Sequence, residues 1–550
     1  MKLILQLIKK SFWKYLVATV LSAVAGVSGA LMIKHIHSGM RAGTDDNYFL
    51  FFGLYLTSTV VLGVIGSQLL TKISEKNLKD LRISLSKRIM RTSYRKMELE
   101  NDKIIHILTT DIATIGATAA KIPDVITSLA IVLGCMVYMA FLSWKLTLFA
   151  VGVFLINFIM TVVVMPMTRK HEESARNLRY DIFRHLRNMV NGLRELSFKK
   201  KLRREYVDRL IEPTIESQNK IKLKNTLMIN SFAKIETIMM MGALAFGVYF
   251  ASNSGAFESK EFMEFLALAL FLIAPMAKIN AFFRVINRTT AALDQIEELG
   301  LGLKRVKRPK PQKIESDGWT EHDPLISFRE VTHSYLQEDI HDSFTLGPFD
   351  LDVKKNETVF IIGGNGSGKT TLIQLLTGLY TPISGHIEYR GVKITDEFMD
   401  DYQNRFAALF VNDFVFQILY HIDEKVIAEK GQHYLELLEL SQKVAIENHQ
   451  FTTVSLSYGQ RKRLNLVMAM LENKEVYVFD EWAANQDPYF KSIFYNDILG
   501  DLKARGKTVF VISHDDSYFH VADRVVKLED GKIVANYLQS EHQKSSVSQN

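Results

Sequence analysis

The run Gly363-Gly364-Asn365-Gly366-Ser367-Gly368-Lys369-Thr370 places its glycines, lysine and hydroxyl in the pattern G-x-x-x-x-G-K-[ST]. Such a spacing suits the holding of nucleoside triphosphate. Glycines let the backbone curl so that successive N–H groups point at phosphate oxygens. Lys369 supplies a mobile positive charge for the β- and γ-phosphates, and the Thr370 hydroxyl is a ligand for Mg²⁺. Thr371 follows in the same turn. A second group of chemistry-bearing residues closes the run Glu475-Val476-Tyr477-Val478-Phe479-Asp480-Glu481. At the end of an apolar strand, Asp480 is placed to hold Mg²⁺ through water. Glu481, beside the γ-phosphate, can orient and polarise an attacking water.

These groups need a rigid frame. Residues 357–362 read as a buried strand before the loop, and 370–376 start a helix whose N-terminal dipole favours phosphate. Residues 320–537 have the composition of an ordinary α/β domain, whereas 1–295 hold long apolar runs. At 550 residues the chain exceeds a single core, so two or more domains are expected. The net charge of +7 is modest. One cysteine, Cys135, excludes an intrachain disulfide and a Cys-based metal site, and its apolar surroundings read as burial. The first apolar run is too long for a cleavable signal.

Six stretches approach the ~20 apolar residues that cross a bilayer core, near 13–33, 48–70, 122–144, 146–168, 226–252 and 263–286. The last two are interrupted by Lys234, Glu236, Pro275 and Lys278. Charges there face a protein interior or a watery cavity, or else sit near helix ends in the aqueous zone. Loop 71–121 carries eleven Lys/Arg against six Asp/Glu, and loop 168–225 carries sixteen Lys/Arg. The other connections hold few: Lys34 and Arg41, Lys145, and Lys260. The positive-inside bias places both long loops and both termini in the cytoplasm. Leu78, Leu81, Leu85 and Ile89 recur at helical spacing, so the basic loops read as solvated helix faces, with no nucleic-acid partner. Continuing a membrane helix by ~17 residues projects it ~25 Å, with turns near 100–105 and 190–195. Residues 296–325, with Pro309, Pro311 and Pro324, have linker chemistry. From about 538 the chain is polar and expected to be disordered.

Between the two nucleotide motifs, Leu456-Ser457-Tyr458-Gly459-Gln460 precedes Arg461-Lys462-Arg463 and an apolar helix. This resembles the L-S-G-G-Q signature of ABC ATPases, with Tyr458 in place of the first glycine. The resemblance implies that Ser457, Gly459 and Gln460 close over ATP bound to a partner domain, so a second copy is required. Tyr335 is similar to the aromatic that stacks on adenine, Asp487 to the D-loop aspartate, and His514 to the switch histidine that contacts γ-phosphate. Val411 stands where that family carries the Q-loop glutamine; Asn412 or Asp413 substitutes, or the ligand is absent.

An α-helical six-span membrane domain (1–295), a linker (296–325) and an α/β P-loop ABC ATPase domain (326–537) resemble an ABC exporter half-transporter. Type I exporter (type IV) architecture is implied, working as a homodimer in contact with membrane lipid. Residues 109–111 and 192–198 resemble coupling regions. Asp480-Glu481-Trp482-Ala483-Ala484-Asn485-Gln486-Asp487-Pro488 resembles the D-E-W-A-A-D-Q-D-P run of bacterial cyclic-peptide exporters, a group that includes pyoverdine, syringomycin and microcin J-type exporters. So does Ser513-His514-Asp515-Asp516-Ser517-Tyr518-Phe519 with Ala522-Asp523-Arg524. Typical ABC ATPases carry Glu-Ala-Thr-Ser-Ala-Leu-Asp instead, so Trp482 and Gln486 discriminate. The resemblance implies ATP- and Mg²⁺-dependent export of a cyclic, lasso or siderophore-like peptide across the inner membrane by alternating access. A lipid or multidrug exporter shares every catalytic feature, and the altered Q-loop keeps a non-transporting ATP-gated sensor open.

Overall fold

The computed structural model describes residues 12–42, 47–90, 92, 94–99, 101–254, 259–298, 311–315, 318–334, 344–411 and 414–539. The chain divides into two compact units, Met1–Thr92 with Lys96–Lys304, and Ser93–Arg95 with Arg305–Asn550.

The first unit is helical. Among the described residues, six of its helices are long and apolar enough to cross a membrane. The main ones run Phe12–Ala42, Tyr48–Ile89, Ile122–Leu142, Trp144–Asn191, Glu212–Ser254 and Ser259–Glu298. Tyr48–Ile89 has 42 residues, hence a length of ~63 Å, about twice a ~30 Å hydrocarbon core. Its first half exposes Phe49, Leu54 and Val60, while its second half buries Leu81, Leu85 and Ile89 against Ile104, Ile107 and Leu293. One side of that extension is thus apolar at helical period, as an aqueous amphipathic helix requires. Trp144–Asn191 starts at Ser143, whose hydroxyl accepts from the Leu146 N–H, and stops at Gly192. The short helix Leu193–Phe198 follows.

Pro166 and Pro275 lie inside helices and end neither. In a membrane bundle, neighbouring groups can satisfy the carbonyl that proline frees. The helix that carries Pro275 and Lys278 is continuous and runs on to Glu298, into the stretch read as linker. Asn157, Thr161, Glu236 and Asn280 are all buried. Thr161 Oγ1 donates to Glu236 Oε1 at 2.7 Å, and Asn280 Nδ2 donates to Asn157 Oδ1 at 2.6 Å. Asn157 Nδ2 reaches the Glu236 carbonyl at 3.4 Å. Glu236 thus faces a protein interior, whereas Lys234 and Lys278 are exposed.

The second unit is built on two sheets. Strands β1 (Pro324–Ser334), β2 (Thr345–Lys354), β4 (Ser384–Tyr389) and β5 (Val392–Lys393) form an antiparallel sheet in the order β2-β1-β4-β5. A six-stranded sheet has the order β12-β11-β3-β10-β9-β6. Its members are β3 (Thr358–Gly363), β6 (Phe406–Leu409), β9 (Val476–Asp480), β10 (Thr508–Ile512), β11 (Arg524–Glu529) and β12 (Lys532–Leu538). The hairpin β7 and β8 (Ile446–Glu447, Gln450–Phe451) stands apart. Neighbours from β11 to β6 pair in parallel. Every residue of β9 and β10 is buried, which is why both read as unbroken apolar runs rather than alternating ones. Ile512 pairs with both Asp480 and Ile361, so Gly363, Glu481 and Ser513 follow at neighbouring strand ends. Open parallel sheets bind ligands at that edge.

Candidate nucleotide site

Strand β3 delivers the chain into the glycine loop. Gly363, Gly366 and Gly368 have φ of +150°, +78° and +103°. A Cβ on Gly363 would lie 2.2 Å from the Leu528 carbonyl oxygen, so the strand end tolerates no side chain there. Gly364 and Asn365 are exposed at the loop tip. Gly368 is the left-handed N-cap of the helix Lys369–Leu376, whose first N–H groups are free of intrahelical partners and suit an anion. Lys369 Nζ donates to the Gly363 and Gly364 carbonyls at 3.0 and 2.9 Å, folding its ammonium back over the loop. Burial lowers its pKa, countered by the charges of Glu481 and Asp480. Ser367 Oγ is buried with no hydrogen-bond partner among the described residues, an orphan that a phosphate oxygen would satisfy. Thr370 is exposed and Thr371 buried behind it.

Asp480 ends β9 with 1% of its surface exposed. Among the described residues neither carboxylate oxygen accepts a well-formed hydrogen bond. Burial first, then the Glu481 charge, push its pKa up to about 6, against the pull of Lys369, Lys462 and the Thr370 hydroxyl. A buried, unsatisfied carboxylate facing a threonine hydroxyl fits the chemistry of a divalent cation, which favours oxygen donors. Glu481 comes next, with φ +50°, and its Oε1 lies 3.2 Å from His514 Nε2. Both side chains are partly solvent-accessible. The charge of Glu481 also acts on Lys369 of the phosphate loop.

Ser457 caps the helix Tyr458–Glu472 in a reciprocal box. Its Oγ accepts from Gln460 N at 3.4 Å, and Gln460 Oε1 accepts from Ser457 N at 3.3 Å. Ser457 stays exposed, and Gly459 is half-buried. Asp487 is exposed and caps Pro488–Ser492 by accepting from Phe490 N at 3.0 Å. Thus the phosphate loop, Asp480, Glu481 and His514 form one group, and the signature helix is tied to the segment after Asp480 through Lys462 and Gln486. Tyr335, Asn412 and Asp413 lie outside the described residues.

Three contacts were not foreseen. The Tyr458 hydroxyl donates to the Val411 carbonyl at 3.3 Å, joining the two positions that depart from the family pattern. Phe344 packs its ring against the Gly368 position; a lone aromatic after a polar stretch carries no readable signal. Lys462 is buried and donates to the Glu481 and Trp482 carbonyls at 3.1 and 3.5 Å. In sequence it sits in an Arg-Lys-Arg run, which reads as solvated charge.

A membrane unit of six candidate spans, followed by a P-loop unit with a signature helix, defines an ATP-driven transporter. Comparison with known proteins agrees. Residues 12–276 match the model of the ABC transporter transmembrane region, and 346–484 match that of the ABC transporter. ATP-binding protein SyrD of Pseudomonas syringae pv. syringae is 30% identical over 93% of this chain and 92% of its own. An ATP-dependent lipid A-core flippase of Chromobacterium violaceum is 23% identical over 95% and 91%. The structure of a bacterial Atm1-family ABC exporter with ATP bound superposes with a TM-score of 0.77 at 15% identity, covering 98% of this chain and 96% of that one. The chain belongs to the ABC transporter family, as an exporter half-transporter that binds and hydrolyses ATP.

Proposed function

We propose that this half-transporter exports a peptide of the cyclic, lasso or siderophore-like kind, from the cytoplasm across a bacterial inner membrane, as a homodimer working by alternating access. Support for the cargo class comes from the run 480–488, in which Trp482 and Gln486 replace the residues of ordinary ABC ATPases. In this reading residues 1–295 carry the cargo path, 296–325 link, and 326–537 bind nucleotide, with both termini cytoplasmic. Tyr335 stacks on adenine. The backbone of 363–368, Lys369 and Thr371 hold the phosphates. Ser457, Gly459 and Gln460 of one copy close over ATP held by the other, and Asp487 faces the same junction. Thr370 and Asp480 hold Mg²⁺, which when bound neutralises charge on the β- and γ-phosphates. Glu481 takes a proton from the attacking water, and His514 orients Glu481 and contacts the γ-phosphate.

Reconstituted protein in sealed vesicles tests the cargo class. A panel of cyclic and lasso peptides, a lipid A-type glycolipid and a hydrophobic dye is scored for ATP-dependent accumulation and ATPase stimulation. The proposal expects a peptide to do both. Stimulation by the glycolipid alone would favour the flippase reading, which the lipid A-core flippase relative supports.

A further inference from the structure

Lys462 is a lysine with 4% of its surface exposed, in the helix that begins with the signature. A buried ammonium is costly unless strong acceptors meet it. Its hydrogen bonds go to two successive backbone carbonyls, those of Glu481 at 3.1 Å and Trp482 at 3.5 Å. Those carbonyls belong to the segment that carries Glu481 at φ +50°, a left-handed conformation that an L side chain holds only when its surroundings impose it. The connection is returned. Trp482 Nε1 donates to the Lys462 carbonyl at 3.1 Å, and its ring stacks on Phe494 with centroids 4.7 Å apart. One turn earlier, Gln486 Nε2 reaches the Gly459 carbonyl at 3.4 Å. Reciprocal bonds thus clamp the first turns of the signature helix to the residue that follows Asp480.

We infer that Lys462 is a positioning residue for hydrolysis: it fixes the backbone of Glu481 and couples that geometry to the signature helix. The inference rests on Glu481 being the base, as proposed above. A shift of the helix start would move the Lys462 ammonium and, with it, the carbonyl that anchors Glu481. The base then meets its water correctly only when the helix is seated. The charge of Lys462 also faces Asp480, where it favours the ionised carboxylate.

The test uses the full-length protein in nanodiscs, with Lys462→Met, Lys462→Gln, Trp482→Phe and Glu481→Gln measured together. Binding of a fluorescent ATP analogue and the kcat and KM for ATP are read for each. Lys462→Met is expected to lower kcat by roughly 10–100-fold, the cost of misplacing a reacting group by about 1 Å. Analogue affinity should stay within about threefold, because only transition-state geometry is lost. Lys462→Gln keeps one donor and should recover part of the rate. Trp482→Phe keeps the stack, removes the return bond and should cost several-fold. A kcat within about twofold of wild type in Lys462→Met, or a loss of rate matched by a loss of affinity, overturns the inference. If Lys462→Met lacks a cooperative melt, Trp482→Phe, which removes the return bond, is judged by the same twofold limit. Full turnover in Glu481→Gln would instead remove the base, whereas an inactive Glu481→Gln beside an active Lys462→Met overturns only the coupling.

Discussion

A methyl group added at Gly363 would lie 2.2 Å from the Leu528 carbonyl oxygen, whereas one added at Gly53 or Gly152 in the membrane unit meets nothing within 4 Å. The contrast belongs to these positions and not to every glycine, since a Cβ at Gly66 in the membrane unit would lie 2.6 Å from Ser22 Oγ and one at Gly364 would meet nothing within 4 Å. At the nucleotide site each residue type is set by an atom that must occupy one place: no Cβ at 363, an ammonium over the loop at 369, a carboxylate at the end of β9. Along the membrane helices the same apolar types serve both surface and core. Leu133 and Phe141 are exposed, and Leu268 and Leu272 are buried. Packing, not identity, decides among them. Phosphate chemistry is therefore written residue by residue, and cargo chemistry is not.

Breaking the contrast is straightforward at its strong end. Lys369→Ala removes the mobile charge of the loop, so ATP affinity and turnover should both fall, turnover by roughly 10²-fold or more. Gly363→Ala should likewise lose nucleotide binding, while Gly152→Ala should leave it untouched and gain up to about 1 kcal/mol of helix propensity. Equal ATP binding by the two glycine variants in equilibrium titration would erase the distinction between these positions.

A smaller effect concerns Asp480. Its pKa is pushed up to about 6 from an ordinary 3.8. The folded state thus holds the proton more tightly than the unfolded one, so this group's contribution to stability is present below about pH 4 and is lost as pH rises to about 6. Nucleotide-free protein should show that decline, and Asp480→Asn should flatten it, when the second unit's melting is followed across this window. The smallest effect lies in the membrane. Glu236→Gln keeps an acceptor for Thr161 and should be near neutral, whereas Glu236→Ala should cost on the order of 1 kcal/mol in detergent melts, the size of one interhelical hydrogen bond. A large loss in Glu236→Gln would show that its charge does more than bind Thr161.

How much of this could be read beforehand follows the same division. The loop at 363–370, Asp480 and Glu481 were legible because strand, loop and helix are contiguous in sequence and each residue has a chemical reason. The long helices were legible from Leu78, Leu81, Leu85 and Ile89, whose spacing persists past the apolar run. Lys462 was hidden because its burial comes from Trp482 and Glu481, which arrive through tertiary packing. Glu236 left two readings open, and the choice between them is made by Asn157 and Thr161 on another helix. Pro275 and Lys278 left the end of the last apolar stretch uncertain because the helix continues to Glu298, past the apolar run. The departures at Tyr458 and Val411 were visible singly, but their hydrogen bond was not.

The most direct measurement is steady-state ATP hydrolysis by Glu481→Gln beside equilibrium ATP binding. Retained binding is expected, with hydrolysis slowed at least tens of times, in line with the roughly 10²–10⁴-fold contribution of a general base. Undiminished turnover with normal binding would contradict the role of Glu481 and the site built around it.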